Sequence, residues 1–62
     1  MRIKLVPDAE PNSDGFWVQI DVAMPTAPKF TDAVAELDKA GAIPQNHHVV
    51  AYEDDDGHNV EK

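Results

Sequence analysis

Phe16 to Met24, Phe-Trp-Val-Gln-Ile-Asp-Val-Ala-Met, is the longest regular pattern in the chain. Phe16, Val18, Ile20, Val22 and Met24 are apolar, and Trp17, Gln19, Asp21 and Ala23 alternate with them. A period of two puts successive side chains on opposite faces of a strand. The segment therefore reads as a half-buried strand with five core-facing side chains, and the remaining elements must pack around it. With 62 residues there is room for one small domain.

The other elements follow from punctuation. Met1 to Val6 reads as a strand with Met1, Ile3 and Leu5 on one face and Arg2 and Lys4 on the other. Pro7 ends it, since proline has no N–H to give a ladder. Residues 7–15 form a polar loop with Asp14-Gly15 as the expected tight turn. Pro25 and Pro28 break the central strand. A helix of about three turns comes next, with Thr31 as its expected N-cap and Asp32 in its first turn. Ala33, Val34, Leu37 and Ala40 give it an apolar stripe, Phe30 leans on the same side, and Gly41 then Pro44 stop it.

His47 to Glu53 reads as a third strand with poor alternation. Bulk favours Val50 and Tyr52 toward the core over Val49 and Ala51. Asp56-Gly57 is a type I′ turn signal, and residues 58–62 are a short fourth strand or a tail. The expected fold is thus α+β: a two-layer β-β-α-β(-β) domain spanning residues 1–62, mainly antiparallel. The first strand lies between the second and third, and the helix covers one face. The uncovered face would carry Arg2, Lys4, Val6, Trp17, Gln19 and Asp21.

Charge narrows function. The net charge is −7, and residues 31–62 hold −6 of it. Such a chain is repelled by nucleic acid and by anionic membranes, and a basic protein surface is its natural partner. The absence of cysteine excludes disulfides and thiolate metal sites and fits a reducing, cytoplasmic setting. No apolar run approaches the ~20 residues of a membrane span, and the N-terminal residues lack the apolar core of a secretory signal.

Chemistry-bearing constellations are sparse. His47, His48 and His58 accompany Asp54 to Asp56, but adjacent histidines on a strand face opposite ways. An EF-hand loop counted back from Gly57 would start at Tyr52 and end beyond Lys62. No metal and no cofactor is expected. Ser13 is the sole serine and has no base beside it, so no enzyme activity is expected.

The acids remain: Glu53, Asp54, Asp55 and Asp56 at the last turn, and Asp32 and Glu36 on the helix. Carboxylates on a rigid scaffold can replace phosphates before an Arg- and Lys-lined channel. Trp17, out of phase with the core, is a second contact candidate. The expected function is a small acidic, non-enzymatic inhibitor that occupies a basic nucleic-acid-binding site on a larger protein. Very small size, acidity, lack of cysteine and lack of a catalytic set make the chain similar in character to phage inhibitors of CRISPR and restriction systems. No motif carries that likeness. The alternative is a homodimeric or accessory domain whose acidity serves only solubility.

Overall fold

The computed structural model describes residues 1–21 and 29–61. They form one four-stranded antiparallel sheet and one helix, a small α+β domain, with elements β1 (Arg2–Pro7), β2 (Phe16–Gln19), α1 (Phe30–Lys39), β3 (His47–Glu53) and β4 (Asn59–Glu61). The strand order is β2-β1-β3-β4. Ile3, Leu5, Ala33, Leu37, Val49 and Tyr52 make a single buried cluster that joins the helix to the sheet. Burying such side chains is the main favourable term holding so short a chain together.

The central pairing explains why β3 alternates poorly. Ile3 lies opposite Tyr52 and Lys4 opposite Ala51, but Leu5 lies opposite Val49. Val50 is the extra residue of a β-bulge, which reverses the facing of the strand about it. Val49 and Tyr52 therefore both enter the core although three positions apart, and Val50 is only half-buried. The expected Val50–Tyr52 pairing is corrected accordingly: strict period two does not survive a bulge. Pro7 is the last residue of β1 rather than the first beyond it, opposite His47.

β2 is shorter and more exposed than its pattern implies. It ends at Gln19, although Ile20 N–H still reaches Met1 O at 3.0 Å. Val22, Met24 and the break at Pro25 and Pro28 lie outside the described residues. Phe16 shares the face of Leu5, yet it is 46% exposed, its ring near-perpendicular to that of His47 with centroids 5.9 Å apart. A strand at the margin of a sheet has neighbours on one flank only, so alternation there does not guarantee burial.

The loop between β1 and β2 covers a residue expected to lie open. Val6 is 3% exposed. Gly15, at φ +75°, packs so closely on β1 that a Cβ would stand 2.5 Å from Leu5 O and 2.8 Å from Val6 Cγ2. Asp8 N–H donates to Asn46 O at 2.8 Å, and the Asp8 carboxylate meets His48 Nδ1 at 2.8 Å. The loop's hydrogen-bonded turns run from Pro7 to Glu10 and from Glu10 to Ser13, not through Asp14-Gly15.

α1 starts at Phe30 with Lys29 in the capping position and no side-chain cap, so Thr31 is not the N-cap. The Phe30 ring stacks on Tyr52 at 6.2 Å, placing the first helical residue against the core. At the other end Gly41, at φ +73°, gives its N–H to Asp38 O, and Ala42 gives its N–H to Leu37 O, both at 3.0 Å. This is the Schellman arrangement that a C′ glycine permits. Ala40, expected in the apolar stripe, is exposed at the C-cap.

Candidate functional site

The end of β3 and the turn to β4 hold four of the six candidate carboxylates, Glu53 to Asp56. Its geometry comes from Asp54. Gly57 N–H donates to Asp54 O at 3.1 Å, and Asp54 N–H donates to His58 O at 3.0 Å. Only Gly57 in the turn has a positive φ, +86°. A type I′ turn needs positive φ at both central residues, so the expected Asp56-Gly57 type I′ turn is replaced by a three-residue loop closed by a left-handed glycine. Asp54 Oδ1 accepts the N–H of Asp56 at 3.0 Å and of His58 at 2.8 Å. The His58 N–H, foremost among these contacts, holds the Asp54 carboxyl below its ordinary range, because it stabilises the charged form.

The neighbours of Asp54 are also engaged. Glu53 Oε2 accepts from Arg2 Nη2 at 2.8 Å across β1 and β3. Asp55 Oδ1 accepts from the Met1 ammonium at 2.6 Å, with the Asp55 side chain 85% exposed. Asp56 makes no ion pair among the described residues, and its side chain points to solvent. The sequence located these acids but not their partners, Arg2 and Met1, which antiparallel pairing of first and third strands brings alongside.

Asp32 and Glu36 differ. Both are exposed on α1, one turn apart, and neither side chain has a hydrogen bond or ion pair among the described residues. Asp32 sits in the first turn, where the helix dipole favours an anion. The six carboxylates thus fall into two sets on different elements, and Trp17 belongs to neither. Trp17 is 37% exposed on the face away from α1, opposite Lys4, with Arg2 Cζ 5.0 Å from its ring centroid. That distance permits a cation–π contact.

Two further groupings can be examined for ligand chemistry. Carboxylate oxygens of Asp54 and Asp56 and a ring nitrogen of His58 lie within 4.8 Å of one another. They are the residues that could hold a cation, but a cation would compete for Asp54 with the two N–H groups it accepts and with His58 Nδ1 at 3.2 Å. An open, mainly apolar cleft of about 600 Å³ runs between α1 and the start of β3, lined by Phe30, Val34, Ile43 and Val49 with His47 and His48 at its rim. His47 Nδ1 is held by Gln45 O at 2.8 Å and His48 Nδ1 by Asp8, so both rings have structural partners.

Among the described residues no helix is long and apolar enough to cross a membrane. No family model matches the sequence, and neither a curated protein nor a solved structure matches it.

Proposed function

We propose that this chain is a non-enzymatic binding protein that presents carboxylates to a basic, nucleic-acid-handling surface of a larger protein and so excludes the nucleic acid. The observation that carries the reading is the exposed Asp32–Glu36 pair, fixed one helical turn apart and free of internal partners among the described residues, on a chain of net charge −7. Asp55 and Asp56 extend the negative surface from the β3–β4 turn. Glu53 and Asp54 contribute less, since Arg2 and the turn already engage them. Trp17 is a secondary anchor. The scaffold is a two-layer β-β-α-β-β unit with α1 on one face, working in the cytoplasm. The activity class is that of phage inhibitors of CRISPR or restriction complexes.

The test is displacement of labelled duplex DNA from a purified CRISPR effector or restriction enzyme. The parent chain releases the DNA, more effectively at low salt. Asp32→Lys with Glu36→Lys lowers its potency at least about tenfold, because reversed charge opposes both steering and docking. Undiminished displacement by that variant, in a chain that still folds, refutes the proposal.

A further inference from the structure

We infer that the outer edge of β2, unpaired among the described residues, is a docking site for an extended, basic segment of a partner protein, which joins the sheet as an additional strand. The inference rests on the reading of the chain as an acidic protein with a basic partner, and it names how that partner is held.

The backbone supplies the first argument. Antiparallel ladders alternate hydrogen-bonded and non-hydrogen-bonded pairs. Ile20 N–H donates to Met1 O, and the register continues as Gln19 opposite Arg2, Val18 opposite Ile3, Trp17 opposite Lys4 and Phe16 opposite Leu5. The Phe16 and Val18 groups therefore point to β1, while Trp17 and Gln19 turn their N–H and C=O groups away from it. Among the described residues β2 pairs with β1 alone.

The side chains supply the second. Natural edges are protected by shortness, charge, proline or bulges. The opposite edge, β4, follows this rule: it has three residues and carries Glu61. β2 is Phe-Trp-Val-Gln, without charge or proline, and the sheet's bulge lies between β1 and β3. Among the described residues its two aromatic residues are the large hydrophobic side chains left exposed, Phe16 on one face and Trp17 on the other. One added strand covers flanks of both at once, which a ligand on a single face does not. Strand addition is an established mode of peptide recognition.

Charge decides the occupant. Exposed Asp14 and Asp21 bracket the strand two residues beyond either end. A second copy pairing antiparallel would bring Asp21 of each chain near Asp14 of the other, between molecules of net charge −7. A segment with Lys or Arg at its ends and uncharged residues between meets the same aspartates favourably. Arg2 and Lys4 lie one strand inward, and Arg2 is already neutralised by Glu53.

The single tryptophan reports on this edge. The parent chain is titrated with acetyl-Lys-Lys-Val-Thr-Val-Thr-Lys-Lys-amide while Trp17 fluorescence is followed. Saturable binding is expected, with none for the peptide whose lysines are replaced by glutamates. Gln19→Pro removes an outward N–H without touching the β1 ladder, which an edge tolerates. It should weaken binding about tenfold, losing one main-chain hydrogen bond and crowding the incoming strand. Asp14→Lys with Asp21→Lys should weaken it as well, and carries the test if the proline variant does not fold. Parent-like peptide binding by folded Gln19→Pro, or equal binding of the glutamate peptide, overturns the inference. So does a dimer in sedimentation that Gln19→Pro abolishes and the lysine peptide leaves intact. DNA displacement without peptide binding sinks the edge site and spares the proposed function; peptide binding without displacement does the reverse.

Discussion

The carboxylates of the β3–β4 turn and those of α1 differ in what already holds them. At the turn, Asp54 accepts two backbone N–H groups, Glu53 meets Arg2 and Asp55 meets the Met1 ammonium. On the helix, Asp32 and Glu36 have no such partners among the described residues. Density of acids in a sequence is therefore a poor guide to their availability. Three of the four acids in the run already have partners within the fold, whereas two acids one helical turn apart have none for their side chains among the described residues. Substitutions at the turn should register first as lost stability, and substitutions on the helix first as lost binding.

The sharpest test of the first half is Gly57→Ala. Gly57 sits at φ +86° with open space where a Cβ would go, so any cost arises from backbone conformation and not from a clash. The left-handed region costs a non-glycine residue roughly 1–2 kcal/mol. In a domain of this size that lowers Tm by roughly 8–15 °C in a thermal melt followed by circular dichroism. A change no larger than that of an ordinary surface substitution would mean that the turn is not held in the described geometry.

Acid should undo the turn next. The folded carboxyl of Asp54 lies below its ordinary value, chiefly through the His58 N–H. A depressed pKa means that the folded form favours the carboxylate. Its contribution is fully present above the unfolded value, about 3.9, and is lost as pH falls through the lower folded one. The amide resonances of Asp56 and His58 should therefore shift with a midpoint below about 3.9, and Asp54→Ala should remove that transition. A midpoint at or above the ordinary value breaks the assignment of Asp54 as the brace.

These two positions also mark how far the sequence could be read. Asp54, Asp56 and Gly57 announced a turn, but not that the Asp54 side chain would satisfy the backbone and set a three-residue loop. Gly41 with Pro44 located the helix end, because a left-handed C′ residue is a local requirement. The span of β3 was legible from residue type, whereas its facing was not. The bulge at Val50 arises from pairing with β1, which no window along β3 contains. For the same reason Phe16 looked like core and stands at the margin. Asp32 and Glu36 were legible as exposed helix acids; that the turn acids have partners depended on Arg2 and Met1, some fifty residues away.

The Arg2–Glu53 pair gives a smaller effect. Both side chains are partly exposed, at 44% and 29%, and such pairs contribute about 0.2–1 kcal/mol. Glu53→Gln should lower stability by that amount in low-salt urea melts. The difference from the parent should shrink in about 1 M salt, where the screening length falls to roughly 3 Å. A loss that persists in high salt would show that Glu53 acts by packing and not by charge.

The smallest stability effect is expected on the helix, and it is the one on which the comparison turns. Asp32→Asn removes a first-turn anion that the helix dipole favours, a loss of about 0.3–1 kcal/mol. Glu36→Gln removes one partner of an i, i+4 like-charge pair, a gain of about 0.2–0.5 kcal/mol. Removing both charges also relieves the repulsion only once, so the double variant should lose no more than about 0.8 kcal/mol relative to the parent. Urea melts of the two single variants and the double variant test this directly. If the double variant instead falls as far as Gly57→Ala, the helix carboxylates are structural too, and the division between engaged and available acids fails. If it matches the parent in stability but no longer displaces DNA, the negative charge of α1 has a role that its own fold does not require.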